Sequence, residues 1–280
     1  MNVDLHCHTI FSDGILSPEE VVNLAVNKGL RVLSITDHDC LGGVIPAQNA
    51  AKGTPLSIIT GLELNSENTH SEVHILGYGI DPNDPALNEK LQGIRQRRVI
   101  RIRQILKKLG KLGMDVPFEK VLENAQGESL CRPHIGRVMV KLGYVKNYQE
   151  SFDKYLARGM PAYVPRKKFT PEIAVEIIKE AGGIPVLAHP GLVAEDVEAL
   201  IIRLLPLGLE GIEAYYPHHN GEKTRRFVEL AGRYNLLITG GSDYHGEGVR
   251  NSTGLGETLY PWEEFRKLTV RLAGLEQNKK

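Results

Sequence analysis

The feature that most constrains this chain is a strand ending that keeps returning. Val3-Asp4-Leu5-His6-Cys7-His8 has the alternation of a β-strand, so His6 and His8 share one face, one pleat apart, with Asp13 a few residues beyond. An isolated His-x-His is more often two polar residues on the solvated side of an edge strand. Here, however, further apolar runs end in metal-type ligands, at Thr36-Asp37-His38-Asp39, Gly61-Leu62-Glu63, Val73-His74, Ala188-His189-Pro190 and Ser242-Asp243-Tyr244-His245. Solvated faces do not deliver His, Asp or Glu in this repeated way by chance. The recurrence points to a shared metal site fed by several strands.

Between these runs the helix signals are regular. Ser17-Pro18-Glu19-Glu20 reads as a capping box opening a helix that Gly29 closes. Leu30 to Thr36 is a near-continuous apolar strand of the kind buried on both faces of a parallel sheet, and a short helix over 43–52 leads to strands at 56–64 and 73–80. After Asp81-Pro82-Asn83-Asp84-Pro85 the rhythm stops. A long helix over 86–112 and three shorter helical pieces, near 118–124, 133–142 and 148–157, have no strands between them. Alternation resumes at Thr170-Pro171-Glu172, with strands at 184–188, 209–216 and 236–241 and a last helix from about Trp262.

About seven strands, mostly followed by helices, predict an α/β protein: a (β/α)7 barrel one unit short of the common eight. A doubly wound open sheet is the competing architecture. The expected division is a barrel over 1–84 and 166–280 with a helical insertion over 85–165 capping the substrate. In a barrel the functional residues lie at the C-terminal strand ends, where the sequence pattern places every candidate ligand.

Composition narrows the partners. Lys plus Arg and Asp plus Glu are 34 each, so no global field draws in nucleic acid or a membrane, and an anionic partner needs a local basic patch. Three scattered cysteines make no disulfide framework. Cys7 faces away from its flanking histidines by alternation and reads as a packed side chain. With no signal-peptide pattern ahead of the first strand and no apolar run near ~20 residues, the expected location is the cytoplasm.

The candidate ligands are His6, His8, Asp13, His38, Glu63, His74, His189, Asp243 and His245. A tetrahedral site takes three or four, so this set implies two or three divalent ions with bridging groups. Mixed imidazole and carboxylate suits Mn, Fe or Zn better than Mg or Ca. Asp37 and Asp39 are candidates for orienting a neighbouring imidazole.

In order, His6-x-His8 with Phe11-Ser12-Asp13-Gly14, Thr36-Asp37-His38, Gly61-x-Glu63, Ala188-His189-Pro190 and Gly241-Ser242-Asp243-x-His245 resemble the motifs of the PHP (polymerase and histidinol phosphatase) family, from Met1 to about His245. The resemblance implies a distorted seven-stranded TIM-like barrel, a trinuclear metal centre with Mn foremost, and phosphoester hydrolysis. Carried over by motif, His6, His8, Glu63 and Asp243 would hold one ion, Glu63, His74 and His189 a second, and Asp13, His38 and His245 a third.

Two stretches of the insertion bear on substrate. In Arg95-Gln96-Arg97-Arg98-Val99-Ile100-Arg101, Arg98 and Arg101 share a helix face and can clamp phosphate, and the bland alternative is a solvated face. In Cys131-Arg132-Pro133-His134, donors sit near a helix N-terminus, a natural anion site. Both resemble the insertion of one PHP branch, the 3′,5′-nucleotide bisphosphate phosphatases also described as 5′–3′ exoribonucleases. That resemblance implies nucleotide phosphate contacts at Arg98, Arg101 and Arg132, with His134 as a contact or a loop-orienting residue. His219, after Tyr215-Tyr216-Pro217-His218, matches a histidine of that branch and is a candidate proton donor to the leaving alcohol or a phosphate ligand, with a solvent-exposed loop histidine as the plain alternative. Leu192 stands where some members carry Arg, which puts bisphosphate preference in question.

The expected function is a metal-dependent phosphoesterase acting on small nucleotides, 3′,5′-bisphosphonucleotides among them, or on 5′ ends of short oligonucleotides. The alternatives are a histidinol phosphatase and a noncatalytic module associated with nucleic acid or a polymerase. The neutral charge argues against an extended nucleic-acid surface.

Overall fold

The computed structural model describes residues 2–166, 169–249 and 253–278. Seven strands form one sheet in chain order: β1 (Asn2–Cys7), β2 (Leu30–Ile35), β3 (Ser57–Glu67), β4 (Glu72–Tyr78), β5 (Ile184–Leu187), β6 (Gly211–Tyr215) and β7 (Leu237–Gly240). Beyond β7 the chain turns back onto β1. His8 N donates to Tyr244 O at 2.8 Å and Asp243 N to His6 O at 2.8 Å, which ties the two ends of the sheet together at the ligand-bearing edge.

Local chemistry accounts for the helices that separate the strands. Helix α1 (Pro18–Asn27) starts with a complete capping box, Ser17 and Glu20 each satisfying the other's backbone N–H, and Gly29 follows it at φ 73°. Helix α2 is Val44–Ala51. In the second half of the chain, α7 (Pro171–Glu180), α8 (Val197–Leu204), α9 (Gly221–Tyr234) and α10 (Trp262–Asn278) return the chain between strands or close it. Leu5, Leu62, Leu64, Ile75, Val186 and Ile212 of the strands join Ile178 of α7 and Leu200 of α8 in the main core. Each such side chain, fully buried, contributes roughly 1.5–3 kcal/mol.

One expectation fails instructively. The strand β4 runs antiparallel to both β3 and β5, whereas β1–β2, β2–β3, β5–β6 and β6–β7 are parallel. The short turn at Asn68–His70 allows only a hairpin, because a parallel partner needs a crossover of a dozen residues or more. His74 therefore lies near the start of its strand, not at a C-terminal end. Reversal of the strand is what brings it level with the other ligands.

Between β4 and α7 lie α3 (Pro85–Lys111), α4 (Phe118–Glu123), α5 (Arg132–Lys141), α6 (Tyr148–Ser151) and a π-helical turn at Phe152–Leu156. The first half of α3 packs into the main core through Leu87, Leu91 and Ile94. Its second half joins a separate cluster through Ile102, Ile105 and Leu109, with Ile135, Val138 and Met139 of α5. Arg98 and Arg101 fall on the same buried stripe, where spacing alone calls for apolar residues. They face inward, not into solvent.

The helical segment also rests on the first metal-type loop. Glu128 N and Ser129 N donate to Phe11 O, at 3.1 and 3.0 Å, and the Arg137 guanidinium donates to Asp13 O. A Cβ on Gly127 would run into the Phe11 backbone, so only glycine permits this approach.

Candidate active site

The ends of β1, β2, β5 and β7, the start of β4 and the middle of β3, where Glu63 precedes the strand's end by four residues, deliver their polar side chains to one point. Glu63, fully buried, is its centre. Its Oε1 lies 2.8 Å from His74 Nδ1 and 3.0 Å from His189 Nε2, and its Oε2 lies 2.7 Å from His38 Nδ1, 3.4 Å from His8 Nε2 and 3.5 Å from His6 Nε2. Asp243 Oδ1 is 3.1 Å from His8 Nε2 and 3.4 Å from His6 Nε2. Asp13 Oδ1 is 3.3 Å from His245 Nε2 and 3.6 Å from His38 Nε2.

The chemistry of this donor set fits divalent cations. Buried polar atoms normally have hydrogen-bond partners, yet His6 Nε2, His8 Nε2, His38 Nδ1 and Glu63 Oε2 have none. His38 Nδ1 and Glu63 Oε2 approach without hydrogen-bond alignment, as two ligands of one cation do. Among the described residues four groups of donors lie close enough to share an ion: His8, Asp13, His38 and His245; His6, Glu63 and His189; His6, His8 and Asp243; and His38, Glu63 and His74. The first is the expected Asp13, His38 and His245 set with His8 added. His74 and His189 both touch Glu63, but each groups with a different second histidine, His38 and His6 respectively.

Protonation follows from the crowding. Burial opposes ionisation of Glu63, but His38, His74 and His6 outweigh it and hold the carboxyl well below its usual range. Asp13, beside His38 and His245, and Asp243, beside His6 and His245, are held down against burial in the same way. Burial pushes His38 down to about 3, leaving a neutral imidazole with a lone pair to give. Burial also pulls on His6, but Glu213, Asp243 and Glu63 raise it well above its ordinary value, so cations and protons compete for this ring.

Outer contacts fix the ligands. Glu213, on β6, has Oε1 2.9 Å from His6 Nδ1 and accepts from His189 N through Oε2 at 2.7 Å. A carboxylate only accepts, so Nδ1 carries the proton and Nε2 is left for the cluster. Asp37 accepts from Thr9 N at 2.8 Å, Thr9 Oγ1 at 2.6 Å and Ser12 Oγ at 2.5 Å, and Ser12 Oγ lies 3.4 Å from His8 Nδ1. It acts on that imidazole through the loop. Tyr216 donates to Asp243 Oδ2 at 2.9 Å. Asp39 pairs with Arg98, and its Oδ1 accepts from Asn65 N at 3.0 Å. His189, Asp243 and Asp39 all adopt positive φ, at 26°, 51° and 53°, so backbone strain concentrates at this site.

The cluster opens into a cavity of about 610 Å³ whose other wall is built of guanidiniums from the helical segment. Arg98 binds Asp39 Oδ2 at 2.5 Å and Asn65 Oδ1 at 3.0 Å. Arg101 donates through Nε to Val164 O at 2.6 Å, and Arg132, at the head of α5, to Glu72 Oε2 at 2.7 Å and Leu156 O at 3.1 Å. Arg166, unremarked in the sequence, lines the same wall 3.5 Å from Asp39 Oδ2, and burial beside Arg98 lowers it to about 9. Its signal was weak because one arginine after a proline has no periodicity to mark it. Tyr216, His218 and Leu192 line the mouth opposite.

Two residues stand elsewhere. The ring of His219 lies beside Gly191, with Nε2 accepting from Gly191 N at 3.0 Å and Nδ1 2.9 Å from Ala214 O. Both nitrogens are taken by backbone, Nδ1 donating and Nε2 accepting, so the ring braces the turn after His189. His134 is buried, with Nδ1 accepting from Cys131 N at 3.0 Å as part of the α5 cap, and it does not line the cavity. It orients the loop that presents Arg132.

Imidazole–carboxylate donors for cations facing guanidiniums for anions are what a phosphate ester requires, and the protein is a metal-dependent phosphoesterase. Comparison with known proteins agrees. The chain is 36% identical over 283 residues to a 3′,5′-nucleoside bisphosphate phosphatase of Chromobacterium violaceum, covering 97% of this chain and 99% of that one. It is 34% identical over 247 residues to the 5′-3′ exoribonuclease Rnm of Escherichia coli, covering 86% and 84%. A solved amidohydrolase structure from Chromobacterium violaceum, with bound sulfate, superposes with a TM-score of 0.88 at 35% identity over 97% of both chains. The PHP domain model matches residues 4–158, and the chain belongs to the PHP family.

Proposed function

We propose that this phosphoesterase hydrolyses phosphate esters of small nucleotides, 3′,5′-bisphosphonucleotides foremost, and 5′ ends of short oligonucleotides. The observation that carries the reading is the two-sided cavity. A cation-binding floor suits the scissile phosphate, and a separate guanidinium wall suits a second, non-reacting phosphate. The phosphatase and exoribonuclease relatives support the same substrate class. The cavity is sized for a nucleotide and not for a duplex.

His6, His8, Glu63 and Asp243, then Glu63 with His74 and His189, then Asp13, His38 and His245 would hold two or three divalent cations, with Mn foremost. The chemistry such cations supply is Lewis-acid activation of water and neutralisation of phosphate charge. Glu213 keeps the His6 proton on Nδ1, and Asp37 and Arg137 hold the loop that carries Asp13. Arg101 and Arg132 bind and orient the second phosphate, and helices over 85–165 serve as the substrate cap. The site of action is the cytoplasm, and among the described residues no helix is long and apolar enough to cross a membrane.

The test offers 3′,5′-bisphosphoadenosine and histidinol phosphate in parallel to the Mn-supplemented protein. Faster turnover of the bisphosphate is expected. Preference for histidinol phosphate, or turnover of neither, overturns the nucleotide reading.

A further inference from the structure

Glu72 occupies an unexpected place for an acidic residue in a cavity that receives phosphate. On β4 it shares a face with His74 two residues on, and both line the cavity. Its Oε2 accepts from Arg132 Nη2 at 2.7 Å, and its Oε1 lies 3.5 Å from Arg101 Nη2 and 3.2 Å from the Tyr163 hydroxyl. Arg101 is only 8% exposed, and its Nη2 has no hydrogen-bond partner. Two guanidiniums therefore share one carboxylate, and one buried donor beside it is still open.

The wider wall repeats this imbalance. Arg98, Arg101, Arg132 and Arg166 share Asp39 and Glu72 among these contacts, four guanidiniums to two carboxylates. Asp39 is fully buried behind Arg98, but the Glu72 side chain is 25% exposed and reachable from the cavity. Across the hairpin Glu72 stands opposite Glu67, a like-charge pairing that a strand tolerates only because cations flank it, Arg158 on Glu67 and Arg132 on Glu72.

We propose that Glu72 is an internal counter-anion, a specificity-determining residue that competes with the substrate's non-reacting phosphate for Arg101 and Arg132. Between turnovers it holds Arg132 and stands beside the open donor of Arg101, and it yields both to a phosphate dianion and takes its place back as product leaves. A substrate with no second anion gains nothing from displacing it. The inference rests on the reading of Arg101 and Arg132 as anion donors given above. A residue that merely positions Arg132 would have the opposite signature, because removing its charge would then weaken anion binding.

The experiment compares full-length wild type, Glu72→Gln and Glu72→Ala by calorimetric titration with inorganic sulfate and adenosine 5′-monophosphate, with steady-state kinetics on 3′,5′-bisphosphoadenosine. Thermal melting checks the fold of each variant. Gln keeps an acceptor for Arg132 without the charge. Both anions are expected to bind about tenfold more tightly to both variants, with KM and kcat falling together as product release slows. Unchanged or weaker anion binding in both variants, or loss in Ala rescued by Gln, overturns the proposal and makes Glu72 a positioning residue. If sulfate tightens but no protein turns over the bisphosphate, the counter-anion stands and the nucleotide reading fails. If wild type turns it over and neither variant binds sulfate more tightly, the reverse holds.

Discussion

Replacing Glu213 by Gln tests how the outer contacts govern the donor cluster. The carboxylate accepts two hydrogen bonds at once, from His6 Nδ1 at 2.9 Å and from His189 N at 2.7 Å, and both groups are buried. An amide of the same shape has one acceptor. If its oxygen stays on His189 N, its NH2 faces His6 Nδ1, which must then give up its proton and accept. The proton moves to Nε2, the nitrogen aimed at Glu63 and Asp243, and His6 no longer offers a lone pair there. If the amide flips, its NH2 meets the His189 N–H and leaves a buried donor unsatisfied, at about 1–3 kcal/mol. Loss of an orienting partner of this kind typically costs roughly 10–100-fold in metal affinity. The expected result is thus Mn or Zn binding weakened roughly 10–100-fold by calorimetry, and a metal-free protein destabilised by about 1–3 kcal/mol in urea. Wild-type affinity together with wild-type stability in Glu213→Gln would refute the tautomer argument.

The helical segment makes a second kind of claim. Gly127→Ala places a Cβ against the Phe11 backbone and should destabilise by about 1–3 kcal/mol while shifting the loop that carries Asp13, so metal affinity falls with stability. Unchanged urea midpoint and affinity would show that the two loops do not depend on each other. A third concerns pH. Burial lowers His134 from 6.5 to about 4, so the unfolded chain binds this proton first and the histidine's contribution is present above pH 6.5 and lost as pH falls towards 4. The total is about 3 kcal/mol. Stability of wild type relative to His134→Gln should decline over that window, and a pH-independent difference would contradict the burial argument.

Much of the molecule is written locally. The capping box at Ser17–Glu20, the apolar run Leu30–Ile35 and the βα rhythm either side of the helical segment depend on near neighbours, so the sequence determined seven strands and a separate stretch of helices. The types of donor at the strand ends were legible for the same reason, since alternation places His6 and His8 on one face without reference to any other part of the chain.

What only the tertiary structure decided are relations between distant residues. The reversal of β4 is a matter of hydrogen-bond partners, and it carries His74 and Glu72 to the mouth from the unexpected end of their strand. The pairing of Arg98 with Asp39, the Glu213 contact to His6, and the withdrawal of His219 to brace Gly191 each join segments remote in sequence. No periodicity records such contacts, because side-chain direction is local while the neighbour it meets is set by how the whole sheet and its helices pack.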